Sequence, residues 1–178
     1  MKWGRLSTFI RTKSNEIARW LGAVMPTNQE LPITSVLFID GSKNQRAYWV
    51  DQLKRCSLRY EFLEASDGQS GLALYRSRRI DCVVLELSLP DQSGFQTLVD
   101  LVPIASRPHV AVVVLTLMTY SGLWELAKQY GAYTCLAKKC TTGEDLDRAI
   151  QRAIAFVGQL PKEDRPRPGF SLVSNRQK

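Results

Sequence analysis

The chain has 178 residues, of which 44% are hydrophobic and 23% charged, values typical of a soluble globular protein with one ordinary domain and extensions. No membrane-spanning segment is expected, because the longest apolar stretch, residues 110–118, is about half the ~18 residues that a spanning helix needs. The net charge is +7, but residues 26–158 hold fourteen basic and fourteen acidic side chains. The basic excess therefore lies at the two ends, which argues against a nucleic-acid-binding core.

Residues 2–25 have the apolar spacing of an amphipathic helix, with the basic side chains mostly off the apolar stripe. The apolar positions are Trp3, Leu6, Ile10, Ile17, Trp20, Leu21 and Val24. Such a helix can pack on the main domain, dock on a partner or lie on an anionic membrane surface, and the sequence leaves all three open. The prolines at 26 and 32 predict a linker, so residues 1–33 form an N-terminal helix and linker.

From residue 34 the sequence alternates regularly between apolar strands and amphipathic helices. The predicted strands are 36–39, 59–65, 81–86, 110–116 and 132–137, and the predicted helices are 43–56, 69–78, 95–104, 120–130 and 142–157. Five such units predict one α/β domain over residues 34–158, a parallel sheet with helices on both faces. The proline-containing basic segment 159–178 is predicted to be disordered.

The four cysteines lack the paired spacing of a metal site. They are Cys56, Cys82, Cys135 and Cys140, and two of them lie within predicted strands. We therefore expect buried, reduced thiols in a cytoplasmic protein.

Polar side chains lie at the carboxyl ends of four of the predicted strands. Glu86 and Thr116 are the last residues of the third and fourth strands, and Asp40 and Lys138 come directly after the first and fifth. In a doubly wound sheet these positions meet beside the point where the strand order reverses. Two carboxylates, a hydroxyl and an ammonium at one edge are typical of phosphoryl chemistry.

Residues 35 to about 157 resemble the receiver domain (CheY-like) of bacterial two-component response regulators. The resemblance lies in segments 36–40, 86–94, 115–116, 131–132 and 136–138. It implies a flavodoxin-like, doubly wound five-stranded parallel sheet in three α/β/α layers, here with an extra N-terminal amphipathic helix. It also implies an aspartate on the third strand that a histidine kinase phosphorylates, with acidic residues after the first strand that hold Mg²⁺. The hydroxyl and the lysine, Thr116 and Lys138 here, would bind the phosphoryl oxygens.

The chain departs from this family pattern at positions that matter chemically. Glu86 occupies the position of the phosphoacceptor aspartate. Of the two acidic residues after the first strand, Asp40 is present and Gly41 replaces the other. Cys135 replaces an aromatic residue. Mg²⁺ needs closely placed oxygen ligands in an octahedron, so we expect no metal or other cofactor, and Mg²⁺ binding that is lost or weak. Asp40, Glu86 and Ser88 would be a vestigial metal site.

The longer side chain of Glu86 can reach Thr116 and Lys138, which leaves three interpretations. The domain is fixed in one state, or Glu86 and Lys138 are simply an ion pair between strand ends, or some phosphoryl transfer remains. The leading interpretation is a non-enzymatic pseudo-receiver that binds a signalling protein, either a histidine kinase or a downstream effector.

The predicted docking face lies around Trp124, Tyr130, Tyr133 and Cys135 with the last helix, and a homodimer is a further option. The alternative function is a working phosphoacceptor receiver. A second alternative is an adaptor that binds nucleic acid through its basic ends or a membrane surface through residues 2–25. The equal number of basic and acidic residues in the core disfavours nucleic acid.

Overall fold

A computed structural model describes residues 33–57 and 59–159 of the chain. The predicted helix over 2–25 and the predicted disorder of the basic tail beyond residue 159 lie outside these residues and stay predictions. Within the described part, no helix has both the length and the hydropathy to cross a membrane.

Five strands and five helices alternate along the described chain. The strands are β1 (Thr34–Ile39), β2 (Tyr60–Ala65), β3 (Cys82–Leu85), β4 (Ala111–Thr116) and β5 (Thr134–Ala137), and the helices are α1 (Lys43–Cys56), α2 (Gly68–Ser77), α3 (Gly94–Leu101), α4 (Leu123–Gln129) and α5 (Gly143–Gly158). A short 3₁₀ turn, Lys138–Cys140, follows β5. All strand pairs are parallel and the spatial order is β2-β1-β3-β4-β5, so the predicted doubly wound sheet is confirmed.

The sheet is buried on both faces, which is why its central strands read as unbroken apolar runs. Every residue of β3 and β4 is buried. Helices α1 and α5 pack on one face, where Trp49, Ile150 and Phe38 belong to one core cluster. Helices α2, α3 and α4 pack on the other, where Leu72 and Leu98 belong to the second core cluster.

Two helices are shorter than their sequence patterns predict, and each has a local cause. Helix α3 ends at Leu101 rather than 104, because Pro103 has no N–H to continue the helix and disfavours a helical Val102. Helix α4 begins at Leu123 rather than 120, because Gly122 is in the left-handed region with φ 81°.

The cysteines are all free, but only two of them are buried. Cys82 and Cys135 lie inside strands β3 and β5, whereas Cys56 and Cys140 are exposed. The prediction of buried thiols is therefore wrong for Cys56, at the end of α1, and for Cys140, in the 3₁₀ turn.

Candidate functional site

The four strand-end residues predicted from the sequence come together at the carboxyl edge of the sheet. The register aligns Ile39 with Leu85, so Asp40 and Glu86 leave adjacent strands at the same level. Thr116 pairs with Ala137 across β4 and β5, which brings Lys138 to the same edge. All four side chains belong to buried residues.

Lys138 lies between the two carboxylates and contacts both. Its Nζ is 2.9 Å from Oε2 of Glu86 and forms an ion pair with Oδ2 of Asp40. The other oxygen of Asp40 accepts the backbone N–H of Ser42 at 2.8 Å. The sequence predicted the pairing with Glu86 as one alternative, but not that Asp40 shares the same ammonium.

The carboxylate of Glu86 is surrounded by hydrogen-bond donors. Its Oε1 accepts the hydroxyl of Thr116 and the backbone N–H groups of Leu87, at 2.8 Å, and Ser88, at 3.1 Å. Its Oε2 accepts the N–H of Leu117 at 3.3 Å and faces the ammonium of Lys138. Converging N–H groups with a hydroxyl and a cation form an anion-binding nest, which here holds a carboxylate of the chain itself.

These contacts decide the ionisation of Glu86. Burial by itself raises the pKa of a carboxyl, because it disfavours the charged form. The hydrogen bonds from Thr116 and Lys138, together with the charge of Lys138, outweigh that effect and hold the pKa of Glu86 below its ordinary value. Glu86 is therefore an anion at neutral pH, which a pairing with Lys138 requires.

Cys135 lies behind this pocket and is chemically quiet. Burial first, and the charge of Glu86 second, raise the pKa of its thiol to about 11. Nucleophilic and metal-binding cysteines react as thiolates, so a thiol with this pKa is inert at neutral pH. We also correct the predicted docking face here, because Cys135 is 1% exposed and its side chain belongs to the core.

Arg46 contributes to the site and was missed by the sequence analysis. Its Nη1 donates to the backbone carbonyl of Asp40 at 2.6 Å, and its Nε pairs with Glu64 at 2.9 Å. No sequence signal singles out Arg46, because Lys43 in the same helical turn is also basic and yet is exposed.

The loop that follows Glu86 is fastened to the neighbouring helices. Asp91 accepts the backbone N–H groups of Gly68 and Gln69, both at 2.9 Å, at the start of α2. The side-chain amide of Gln92 donates to Oγ1 of Thr97 at 2.8 Å. The loop thus has anchors on α2 and α3, and its backbone amides keep their direction toward Glu86.

The donor set does not fit Mg²⁺. Asp40 and Glu86 are the carboxylates that contact Lys138 in the pocket, so a hard cation would have to compete with an ammonium. Gly41 brings no third carboxylate, and no group of three or more His, Cys, Asp or Glu within the described residues could hold a metal. Ser88 is exposed and meets Glu86 through its backbone N–H.

Exposed apolar side chains lie beside the pocket on the loop after β4 and on α4. They are Leu117, Met118, Tyr120 and Trp124, each 39–50% exposed. The N–H of Met118 donates to Oγ1 of Thr116 at 3.1 Å, so the loop is connected directly to the pocket. Of the predicted docking face, Trp124 and Tyr130 are exposed and Tyr133 is half-buried.

The parallel five-stranded sheet and the pocket at its carboxyl edge agree with the result of comparing the chain with known protein families. The family model for the response regulator receiver domain matches residues 36–151. The chain therefore belongs to the response regulator receiver domain family and, with it, to two-component signalling.

Individual relatives extend this assignment. The chain is 32% identical over 102 residues to the transcriptional regulatory protein PdtaR of Mycobacterium tuberculosis. This match covers 57% of the chain and 48% of PdtaR. The chain thus matches about half the length of that relative. A response regulator receiver domain protein from Clostridium thermocellum is 28% identical with a TM-score of 0.59, covering 72% of this chain and 99% of that one. A CheY-like receiver domain protein from Methanospirillum hungatei JF-1 is similar in fold, with 18% identity, a TM-score of 0.61 and coverage of 71% and 97%.

Proposed function

We propose that this receiver domain acts as a protein-interaction module that does not depend on phosphorylation, and that it is not an enzyme. The observation that carries the proposal is the environment of Glu86. Five donors, three of them backbone N–H groups, converge on its carboxylate. Thr116 and Lys138, which the family resemblance assigns to phosphoryl oxygens, here bind a permanent anion of the chain.

The electrostatics support the same conclusion. Phosphoryl transfer to a carboxylate needs a divalent ion to neutralise the transferring group. Asp40, Glu86 and Lys138 sum to −1, and the ammonium stands where both carboxylates meet. An incoming phosphoryl group would face two anions without a metal, so Glu86 is a poor acceptor.

The partner is a signalling protein, either a histidine kinase or a downstream effector, and a second copy of the chain is the alternative. Thr116 binds Glu86 on one side and the N–H of Met118 on the other, so the pocket holds the loop that carries the exposed apolar side chains. A pocket filled permanently by Glu86 would keep that loop in one conformation. Large apolar and aromatic side chains such as Tyr120 and Trp124 are the types that dominate protein interfaces.

Incubation with acetyl phosphate and Mg²⁺, followed by intact-mass spectrometry, tests the proposal. We expect no phosphoryl adduct on the natural chain. The double variant Gly41→Asp with Glu86→Asp restores the second acidic residue after β1 and the acceptor aspartate, and it should gain one phosphoryl group. The substitution at residue 41 can be accommodated, because its Cβ would lie 3.1 Å from Cδ of the exposed Pro90, a contact that a small shift relieves. A stoichiometric adduct on Glu86 of the natural chain would establish the competing function, a working phosphoacceptor.

A further inference from the structure

The two edges of the sheet differ in charge. The loops that precede the strands, residues 57–59, 78–81, 102–110 and 130–133, carry four arginines and one aspartate, a net charge of +3. The loops that follow the strands, residues 40–42, 66–67, 86–93, 117–122 and 138–142, carry four acidic residues and two lysines, a net charge of −2. Because all strands are parallel, each set of loops shares one edge of the sheet.

Two cations of the positive edge, Arg59 and Arg79, lie close together. Thr34 aligns with Tyr60, and Ser35 meets Asp81, so Arg59 and Arg79 flank the start of β1 on its two sides. Neighbouring strands are about 4.8 Å apart, which brings these backbone positions within roughly 10 Å. Arg59, Arg78, Arg79 and Arg107 are all exposed.

Helix stabilisation explains only part of this cluster. Cations in the last turn of a helix favour its negative end, and that accounts for Lys54, Arg55 and Arg76. Arg78 is the C-cap of α2, so the same effect applies to it, whereas Arg59 and Arg79 lie beyond the helix caps in the loops that lead into β2 and β3. Arg79 has Asp81 as an acidic neighbour, but at 3.7 Å and 89% exposed this is a weak, solvated pair.

Exposed apolar side chains accompany the arginines on the same edge. Ile33, before β1, is 69% exposed, and Ile104, in the loop before β4, is 54% exposed. Phe156, in the last turn of α5, is 47% exposed and packs against Tyr133 directly before β5, with ring centroids 5.6 Å apart. Aliphatic side chains among arginines are typical of a surface that lies on a membrane, whereas the phosphate backbone of a nucleic acid has no use for them.

We propose that the edge of the sheet at the amino ends of the strands binds an anionic lipid bilayer surface. Arg59, Arg78, Arg79 and Arg107 attract the headgroups, and Ile33, Ile104 and Phe156 insert at the headgroup boundary. Residues 1–32 and 160–178 continue the chain from this edge, and each of these segments has five basic and two acidic residues. An anionic bilayer attracts them as well. The pocket of Glu86 and the apolar loop after β4 lie at the opposite edge, where they stay accessible to a protein partner.

Co-sedimentation of the full chain with vesicles of equal parts phosphatidylglycerol and phosphatidylcholine tests this. The double variant Arg78→Gln with Arg79→Gln should lower the partition coefficient roughly 25-fold, about fivefold for each cation removed near the surface. The matched control, Lys43→Gln with Lys139→Gln, loses the same charge from exposed positions at the opposite edge. Its effect should stay below about threefold, since the sheet separates it from the surface by more than a Debye length.

A second pair of variants separates lipid from nucleic acid. Ile104→Ser should weaken vesicle binding roughly fivefold without any change of charge, while Tyr120→Ser, equally exposed at the opposite edge, should not. Circular dichroism verifies that each variant is folded. An equal loss of vesicle binding in the arginine double variant and in the lysine double variant would overturn the proposal. So would tighter binding to duplex DNA or RNA that is indifferent to Ile104→Ser, which would assign this edge to nucleic acid.

Discussion

At the scale of single residues, the site depends on one cation shared by two anions. Lys138 is 9% exposed and pairs with both Asp40 and Glu86. Removing water from three charges has a large cost, and here it is offset because each of the four oxygens of the two carboxylates has a donor. The extra methylene of glutamate relative to aspartate is what lets the carboxylate of Glu86 reach those donors.

Glu86→Gln should reduce stability in a pH-dependent way. At about pH 7 the amide presents an NH₂ group to donors, and leaving one buried donor unsatisfied costs about 1–3 kcal/mol of the free energy of unfolding. Because the folded pKa of Glu86 is below its ordinary value of 4.5, its ionised form stabilises the fold above that pH, and this stabilisation is lost as the pH falls through the folded pKa. The stability difference between the two proteins should therefore shrink on acidification.

Urea unfolding at about pH 7 and about pH 3.5 measures this difference. The variant Glu61→Gln, at an exposed position of β2, is the matched control and should differ little from the natural chain at either pH. A Glu86→Gln variant as stable as the natural chain at neutral pH, or a difference that grows with acid, would show that the contacts of Glu86 do not stabilise the fold.

At the scale of elements, caps place the helices that flank the pocket. Helix α5 begins with a capping box in which the hydroxyl of Thr142 accepts the N–H of Asp145 at 3.1 Å, and the carboxylate of Asp145 accepts the N–H of Thr142 at 3.1 Å. The hydrogen bonds from Thr142, followed by the one from Arg148, lower the pKa of Asp145 to about 2. This cap fixes the start of α5 directly after the turn that carries Lys138.

Thr142→Ala should lower the free energy of unfolding by about 0.5–2 kcal/mol, the usual cost of losing an N-cap. The pKa of Asp145 should rise part of the way toward its ordinary value of 3.8, because the hydrogen bond from the Thr142 hydroxyl, the largest cause of the lowered pKa, is gone while the backbone N–H remains. Thermal unfolding and an NMR titration of the carboxyl carbon measure the two effects. Thr142→Ser keeps the hydroxyl and should behave like the natural chain; equal losses in both variants would mean that the methyl group, rather than the cap, matters.

Much of this arrangement was predictable because local signals and burial agree. Helix α1 matches its predicted range of 43–56, since Ser42 caps its start and the apolar spacing is regular. The helix ends near Pro103 and Gly122 were misplaced, because the apolar pattern continues past both residues while the backbone does not. Periodicity describes which face is buried, and it carries little information about where hydrogen bonding stops.

The proximity of the four site residues was predictable from the sequence, but the hydrogen bonds and ion pairs between them were not. Strand ends in a parallel sheet share an edge, so the proximity of Asp40, Glu86 and Lys138 follows from topology. Which oxygen accepts which donor depends on loop conformation, and that depends on contacts distant in sequence, such as Asp91 with Gly68. The contact of Arg46 with the carbonyl of Asp40 has the same origin, because it needs the geometry of the β1–α1 turn.

At the scale of the whole molecule, the sheet separates two surfaces of opposite charge. The acidic edge contains the filled pocket and the exposed apolar loop after β4, and the basic edge contains the arginines and exposed isoleucines. In our proposals the first surface binds a protein partner and the second binds a bilayer. A receiver domain with this arrangement would act by binding a protein partner at a membrane surface, and it would not need a phosphorylation cycle.

The most direct test of a pocket filled by Glu86 is an NMR titration with Mg²⁺ and beryllofluoride, observed at the backbone amides of Leu87, Ser88 and Leu117. We predict that these resonances do not move, because each amide already donates to the carboxylate of Glu86. The same titration of the variant Gly41→Asp with Glu86→Asp should give saturable shifts. Saturable shifts of the three amides in the natural chain would contradict the account.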